Sequence, residues 1–330
     1  MTAVRPISGV AMCTYNGDRF LREQLESIAA QSELPRRLAI VDDGSSDGTW
    51  ELLQQWSRQA PFEVRLLRNE EKLGVVKNFE RSIELVGDDV DIVFLADQDD
   101  RWFPEKLALF ADRFATDPQL GLLHSDAELI DGQGALRGRR LFETLLVTQG
   151  ELASVRQGEA WRVYVKRNLV TGAACAVRRS VLIKALPFSP DWIHDEWLAF
   201  IASLVSSVSV MEAPTMAYRL HASNTVGMPI PTLGWRLRTT FHALSRSNAS
   251  AQLQRAVRLH HVLTQAKRLH VSSEICQYLG SAIAHAEFRG NLPRNFLLRW
   301  QGIWHSWRAK DYERWSNGDI SALHDLLALR

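Results

Sequence analysis

The chain has 330 residues, of which 46% are hydrophobic and 23% charged, and its formal net charge is only +1 at pH 7. That length and composition suit one large soluble domain, or a domain with an appendage. Three distant cysteines, Cys13, Cys175 and Cys276, with no CxxC pair, argue against a disulfide framework or a zinc site and for a reducing, cytoplasmic setting.

Ile7–Cys13 reads as a first strand, and Asp18–Gln31 follows as a helix with Phe20, Leu21, Leu25, Ile28 and Ala29 at helical spacing. Leu38–Val41 is a second strand, after which Ser46 or Asp47 caps a helix carrying Leu52, Leu53 and Trp56. A strand over Val64–Leu67, a helix over Val75–Val86 and a strand over Asp91–Ala96 continue the alternation. Strands alternating with amphipathic helices predict right-handed crossovers, hence an α/β fold with a mostly parallel central sheet and flanking helices.

Past Asp100 the rhythm changes. Pro104 opens a helix to about Phe114, Gly121–His124 is a strand, and Asp131-Gly132-Gln133-Gly134 is a turn. Residues 137–168 have no clean period and read either as a binding loop or as a pair of helices. Thr171–Val177 returns as a strand, Trp192–Leu204 as a helix, and Val208–Val210 and Thr215–Leu220 as short strands. The longest apolar-looking stretch, Trp197 to Met211, is broken by four serines and is too short to span a bilayer. From Trp235 onward only helical patterns occur. The Gly-, Pro-, Ser- and Asn-rich break near 222–234 divides the chain into an expected catalytic domain over 1–228 and a helical C-terminal region over 229–330.

Two acidic clusters dominate the first half, Asp42-Asp43-Gly44-Ser45-Ser46-Asp47 and Asp97-Gln98-Asp99-Asp100. Each follows an apolar run, at the exit of a strand, where open α/β sheets bind ligands. The first strand leads to Cys13-Thr14-Tyr15-Asn16-Gly17, so there is neither a GxGxxG fingerprint nor a Walker A loop. A fixed carboxylate at Asp42 or Asp43 can instead accept the imide N–H of uracil or thymine, while Tyr15 offers a ring face to the base. Read alone, the same run is equally a turn and helix cap. Three carboxylates in four residues at Asp97–Asp100 repel one another unless a cation holds them, and oxygen ligands suit Mg2+ or Mn2+ on substrate phosphates.

The blocks Val10–Gly17, Val41–Thr49 and Asp97–Asp100, in this order and spacing, resemble the signature blocks of family 2 glycosyltransferases with the GT-A fold, over about residues 5–225. The resemblance implies a nucleotide-sugar donor, a divalent metal and inversion at the anomeric carbon. It places Thr14, Tyr15, Asp42, Asp43 and Asp97 at the nucleotide, with Lys77 where a basic residue often lies near it. Asp97 and Asp99 fall on the two acidic positions of the DxD element, Asp99 being the first choice for the metal. His194-Asp195-Glu196-Trp197 at a helix start offers the base: Asp195 matches best, with Glu196 adjacent. Tyr218-Arg219-Leu220-His221 is similar to a segment of rhamnosyltransferase-like members, which adds His221 as a metal or diphosphate ligand and Arg219 as a phosphate candidate. Asp126 and Trp192 are further candidates for sugar or acceptor contact, as are Trp102 and Trp161 for stacking.

The expected reaction is transfer of a sugar, by resemblance L-rhamnose from dTDP-L-rhamnose, from a dTDP- or UDP-sugar to a hydroxyl of a bacterial surface polysaccharide or lipid-linked glycan. A sugar-1-phosphate nucleotidyltransferase and a non-catalytic glycan-binding module are the alternatives. Residues 231–330 carry a net charge of +8 against −7 for the rest. Their arginines and five tryptophans suit the inner face of an anionic membrane, a helical bundle or a homodimer surface, and nucleic acid is not an expected partner.

Overall fold

The computed structural model of the protein describes residues 4–221 and 248–328. The chain divides into two compact units, Met1–Ala160 with Leu169–Met228, and Trp161–Asn168 with Pro229–Arg330. The expected break near 222–234 and the expected boundary at 228 lie outside the described residues.

The first unit is an α/β sheet in the order β3-β2-β1-β4-β8-β6-β9-β5, with β7 paired to β6. β1 (Ser8–Thr14), β2 (Arg37–Asp42), β3 (Glu63–Arg68) and β4 (Ile92–Ala96) are parallel neighbours, connected through helices α1 (Asp18–Ala29), α2 (Thr49–Trp56) and α3 (Val75–Val86). Every residue of β2 and β4 is buried, as expected for strands covered by helices on both faces. Because β1 lies between β2 and β4, the strand order reverses there. The carboxyl ends of β1, β2 and β4 open on the crevice created by that reversal.

The second half of the sheet is mixed. β8 (Cys175–Arg178) runs antiparallel to both β4 and β6 (Leu120–Ile130), while β9 (Ser207–Arg219) runs parallel to β6. β5 (Arg101–Trp102) pairs with β9, and β7 (Leu136–Arg140) with β6.

Several expectations are corrected here. The strand expected over Gly121–His124 continues to Ile130, and the two short strands after 207 are one. Their registers shift around Asp126, which faces Pro214, and a bulge is where a strand tolerates proline. The irregular stretch from 137 holds β7 and the short helices α5 (Leu141–Thr144), α6 (Gln149–Arg156) and α7 (Ala160–Tyr164). The start of the strand expected over Thr171–Val177 is a 3-10 turn, Gly172–Ala174. Helices α4 (Lys106–Thr116), α8 (Arg179–Ala185) and α9 (His194–Val205) complete this unit, whereas α7 beyond Ala160 belongs to the second.

The described part of the second unit is helical: α10 (Ala249–Arg268), α11 (Ser273–Gly290), α12 (Phe296–Arg308), α13 (Asp311–Trp315) and α14 (Asp319–Leu327). A small apolar cluster of Leu292, Ile303, Tyr312 and Ala322 is joined by a buried ion pair, Arg289 to Asp325 at 2.6 Å. Tyr312 donates its hydroxyl to the same carboxylate at 2.9 Å, so both oxygens of Asp325 are held.

Gly121, in β6, has no room for a side chain. A Cβ there would lie 2.5 Å from Ser206 Cβ and 2.8 Å from Val181 Cγ2. Gly121→Ala is expected to lower stability by about 1–3 kcal/mol, read as an earlier thermal melting transition.

Candidate active site

The exits of β1 and β2 are bound into one polar knot. Asp42, fully buried, accepts from Thr14 Oγ1 at 2.9 Å, from Ser45 N at 2.9 Å and from Ser45 Oγ at 2.5 Å, and lies 3.6 Å from Arg68 Nε. Thr14 is itself 2% exposed. These bonds join both side chains to each other and to Ser45, and so shape the loop that carries their neighbours.

Asp43 and Tyr15 are those neighbours. Asp43 accepts from Asn69 Nδ2 at 2.8 Å, Leu73 N at 2.7 Å and Gly74 N at 2.9 Å, so it fixes the loop ahead of α3. Its Oδ2 keeps one unused lone pair beyond the bond from Gly74. Tyr15 is 40% exposed, and its ring lies 3.4 Å below the Lys72 ammonium. Its backbone exchanges two hydrogen bonds with the Gln98 side chain, Tyr15 N to Oε1 at 2.8 Å and Nε2 to Tyr15 O at 3.0 Å. Gln98 therefore ties the exit of β1 to that of β4. Neither Lys72 nor Gln98 was a sequence candidate. Lys72 looks like any loop cation, whereas Gln98 stands inside the acidic block, where its charged neighbours are the conspicuous residues. Lys77 is on the exposed side of α3, paired with Glu80 at 2.8 Å.

Asp97, Asp99 and Asp100 crowd the end of β4. Burial, then the charges of Asp99 and Asp195, push the Asp97 carboxyl up to about 7. The Asp100 carboxyl is also raised well above the usual carboxylate range, mainly by burial; it accepts the Arg219 backbone N–H at 2.9 Å, and its Oδ2 has no partner. Asp99 Oδ2 lies 2.7 Å from His221 Nε2, and the imidazole packs 4.9 Å from the Phe20 ring. The sequence separates Asp99 and His221 by 122 positions; the fold makes them touch. Among the described residues no three His, Cys, Asp or Glu side chains converge as a cage. A pair fits Mg2+ or Mn2+ nonetheless, since these ions keep waters and take substrate phosphate oxygens beside one or two protein ligands.

Arg219, a phosphate candidate in the sequence, is held inside the protein. It is 1% exposed and donates to the Asp99 carbonyl at 2.7 Å, the Asp131 carbonyl at 3.2 Å and Glu23 at 2.5 Å. It is a brace that holds the end of β9, and so His221, against the exit of β4. Asp126 is likewise turned inward, its Oδ1 accepting from Ala127 N at 2.8 Å and Phe142 N at 2.9 Å. Trp192 packs on Trp197 and Phe200, Trp102 lies in the core beside Phe94, and Trp161 meets Tyr278 edge-on; none presents an open face for a sugar.

Asp195 stands in the first turn of α9. Burial pushes its carboxyl up to about 6, against the pull of N–H bonds from Gly172 at 3.0 Å and Glu196 at 2.7 Å. Glu196, adjacent on the same turn, is also partly exposed. Behind Asp195, the His194 ring is stacked 3.9 Å from Phe79 and buried without a hydrogen-bond partner, which drives its pKa down to about 3 and keeps it neutral. The Gly172–Ala174 turn is fixed from below by Lys106, fully buried, whose ammonium donates to the Ala173 carbonyl at 2.6 Å and lies 4.0 Å over the Trp102 ring. Burial lowers the Lys106 pKa to about 7. Nothing in the sequence sets Lys106 apart: a lysine near a helix start reads as solvated surface.

A family model described as glycosyl transferase family 2 matches residues 9–182. The chain is 28% identical over 226 residues to an uncharacterized glycosyltransferase of Nostoc sp., a match that covers 65% of each chain and so just under two thirds of that relative. It is 25% identical over 233 residues to a dTDP-rhamnosyl transferase of Shigella flexneri, covering 66% of this chain and 74% of that one. Among solved structures, a mannosyltransferase from Pyrobaculum calidifontis, in complex with GDP-Man and Mn2+, superposes with a TM-score of 0.51 at 18% identity over 98% of this chain and 86% of that one, a likeness of fold.

A Cβ on Gly172 would lie 2.8 Å from His194 Nε2 and 3.4 Å from Asp195 Cβ. The stacked histidine cannot retreat, so Gly172→Ala is expected to displace the Asp195 carboxylate. Turnover should fall at least tenfold while nucleotide affinity, measured by calorimetry, stays within twofold, on the order of 1.4 kcal/mol in the transition state alone.

Proposed function

The chain belongs to glycosyl transferase family 2, and from that membership we propose an inverting, metal-dependent transfer of a sugar from a pyrimidine nucleotide to an acceptor hydroxyl. The observation that carries the reading is the meeting of Asp99 with His221 at 2.7 Å beside Asp97, with a partly exposed Asp195 near enough for its charge to be felt at Asp97. Such a site separates two tasks, charge neutralisation on the departing diphosphate and proton removal from the acceptor.

In this mechanism Asp43 accepts the imide N–H of the base, and Tyr15 gives it a ring face as Lys72 moves aside toward the phosphates. Asp99 and His221 would hold Mg2+ or Mn2+, with Asp97 positioning the donor. When bound, the cation supplies charge neutralisation at the diphosphate. Asp195 takes the proton of the acceptor hydroxyl as its oxygen bonds to the anomeric carbon; the bond from that carbon to the diphosphate breaks, and the electron pair leaves with the nucleotide. A carboxyl already raised to about 6 is a better base than an ordinary aspartate and is still ionised at neutral pH. The dTDP-rhamnosyl transferase relative supports a dTDP-sugar, with dTDP-L-rhamnose as donor and a surface polysaccharide or lipid-linked glycan as acceptor. Among the described residues no helix is long and apolar enough to cross a membrane.

The reading is tested by thermal shift with UDP, dTDP and GDP, with and without Mn2+. Pyrimidine nucleotides should stabilise the protein by about 2.7 kcal/mol at a hundredfold excess over Kd, chiefly when Mn2+ is present. A guanine preference would overturn the base assignment. Asp99→Asn should abolish the Mn2+ dependence of the shift.

Asp195→Asn should still bind donor while turnover drops about 10²–10⁴-fold. Wild-type turnover in that variant, with loss in Glu196→Gln, would move the base to Glu196. Because the base must be ionised, kcat/KM should climb as pH rises through about 6 and level off above it. A profile flat across that range would remove Asp195 from the proton transfer.

A further inference from the structure

Helix α12 wears its apolar side outward. Trp300, Trp304 and Trp307 stack in a row, with centroids 5.9 Å and 5.3 Å apart and ring planes within 24° of parallel. They are 44%, 46% and 41% exposed, whereas no other tryptophan among the described residues is exposed. Spacings of three and four residues put Leu297, 69% exposed, on the same side of the helix. Only Arg299, Ile303 and Ser306 of α12 are buried, a stripe narrower than an ordinary surface helix turns toward its core.

The face continues onto a second helix. Trp307 Nε1 donates to Asp319 Oδ1 at 2.7 Å, which fixes the start of α14 beside the tryptophan row. Ile320, Leu323 and Leu327 of α14, again three and four residues apart, are 73%, 52% and 51% exposed. Nine of the twenty exposed large hydrophobic side chains of the described protein fall within residues 296–327. Such concentration marks an interaction surface, since exposed apolar residues are ordinarily scattered.

Charge identifies the occupant. Residues 296–308 contain no acid, and Arg294, Arg308 and Lys310 stand exposed at the two ends of the helix. A two-fold pairing of α12 on itself would bring those cations toward their copies with no acid on that helix to meet them, and Asp319, the exposed acid at the start of α14, is already bonded by Trp307 Nε1. An anionic bilayer satisfies both features: indoles settle at headgroup level, aliphatic side chains reach the acyl boundary, and arginine and lysine meet lipid phosphates. We propose that α12, with α14 beside it, is an interfacial helix pair that docks this protein on an anionic membrane surface. The docking is independent of the transfer reaction and of the donor.

The test is co-sedimentation of the whole chain with vesicles of phosphatidylcholine alone and of phosphatidylcholine mixed with phosphatidylglycerol. Binding should be selective for the mixed vesicles and weaken with salt. The Arg294→Gln/Arg308→Gln/Lys310→Gln variant should lose on the order of 100-fold in partitioning, from about fivefold per cation. Trp300→Ser/Trp304→Ser, which leaves the bond from Trp307 to Asp319 in place, should reduce binding to background with an unchanged melting transition; if that variant misfolds, the charge variant carries the decision. Equal binding to both vesicle types, or to neither, overturns the proposal. So does a dimer in solution that the tryptophan substitutions dissociate while vesicle binding persists.

Discussion

Mutual repulsion among carboxylates at the end of β4 is the constraint around which the first unit is arranged. Asp97, Asp99 and Asp100 leave a fully buried strand together, and Asp195 adds a fourth charge from α9. The protein does not neutralise them with facing cations. Lys106 lies close enough to be felt at Asp97 and Asp100, yet its ammonium bonds a carbonyl, and Arg219 reaches the backbone of Asp99 rather than its carboxylate. Backbone N–H groups and one imidazole supply the remaining contacts. Burial and repulsion raise the Asp97 and Asp100 carboxyls, so protons take up part of this charge, and a bound cation would favour the ionised forms.

The residues that hold this arrangement work through backbone. Lys106 supports Ala173, whose neighbour Gly172 donates to Asp195; Gln98 clamps both backbone groups of Tyr15; Asp43 gathers the amides of Leu73 and Gly74. Each contact fixes a loop through its main chain. Loops braced in this way can present functional groups with the precision of a strand end while remaining open to substrate.

The parallel half of the sheet was legible because each strand is a short apolar run followed by an amphipathic helix, two periods that rarely mislead. The second half was not. β6 and β9 are long, but the Glu212-Ala213-Pro214 interruption and the change of register at Asp126 break the alternation that would have announced one strand. At the site, the acidic blocks and Asp195 stood out because charge at a strand exit or helix start is conspicuous. The bond between Thr14 and Asp42 was not legible, because a carboxylate and a hydroxyl look the same in sequence whether they face a ligand or each other. Lys106, Lys72 and Gln98 were missed because their roles arise from partners more than fifty positions away.

Glu23 shows what such wiring means for anyone altering this protein. At 40% exposure on α1 it would pass for a dispensable surface acid, the kind exchanged freely when tuning solubility or crystal contacts. Its two oxygens nevertheless receive Arg219 at 2.5 Å and Arg101 at 3.3 Å, one cation from each side of the β5 and β9 pairing. Charge reversal there would leave Arg219 buried with one fewer acceptor, and Arg219 stands two residues before His221. The permissive surface of this fold is therefore smaller than its solvent-accessible area suggests.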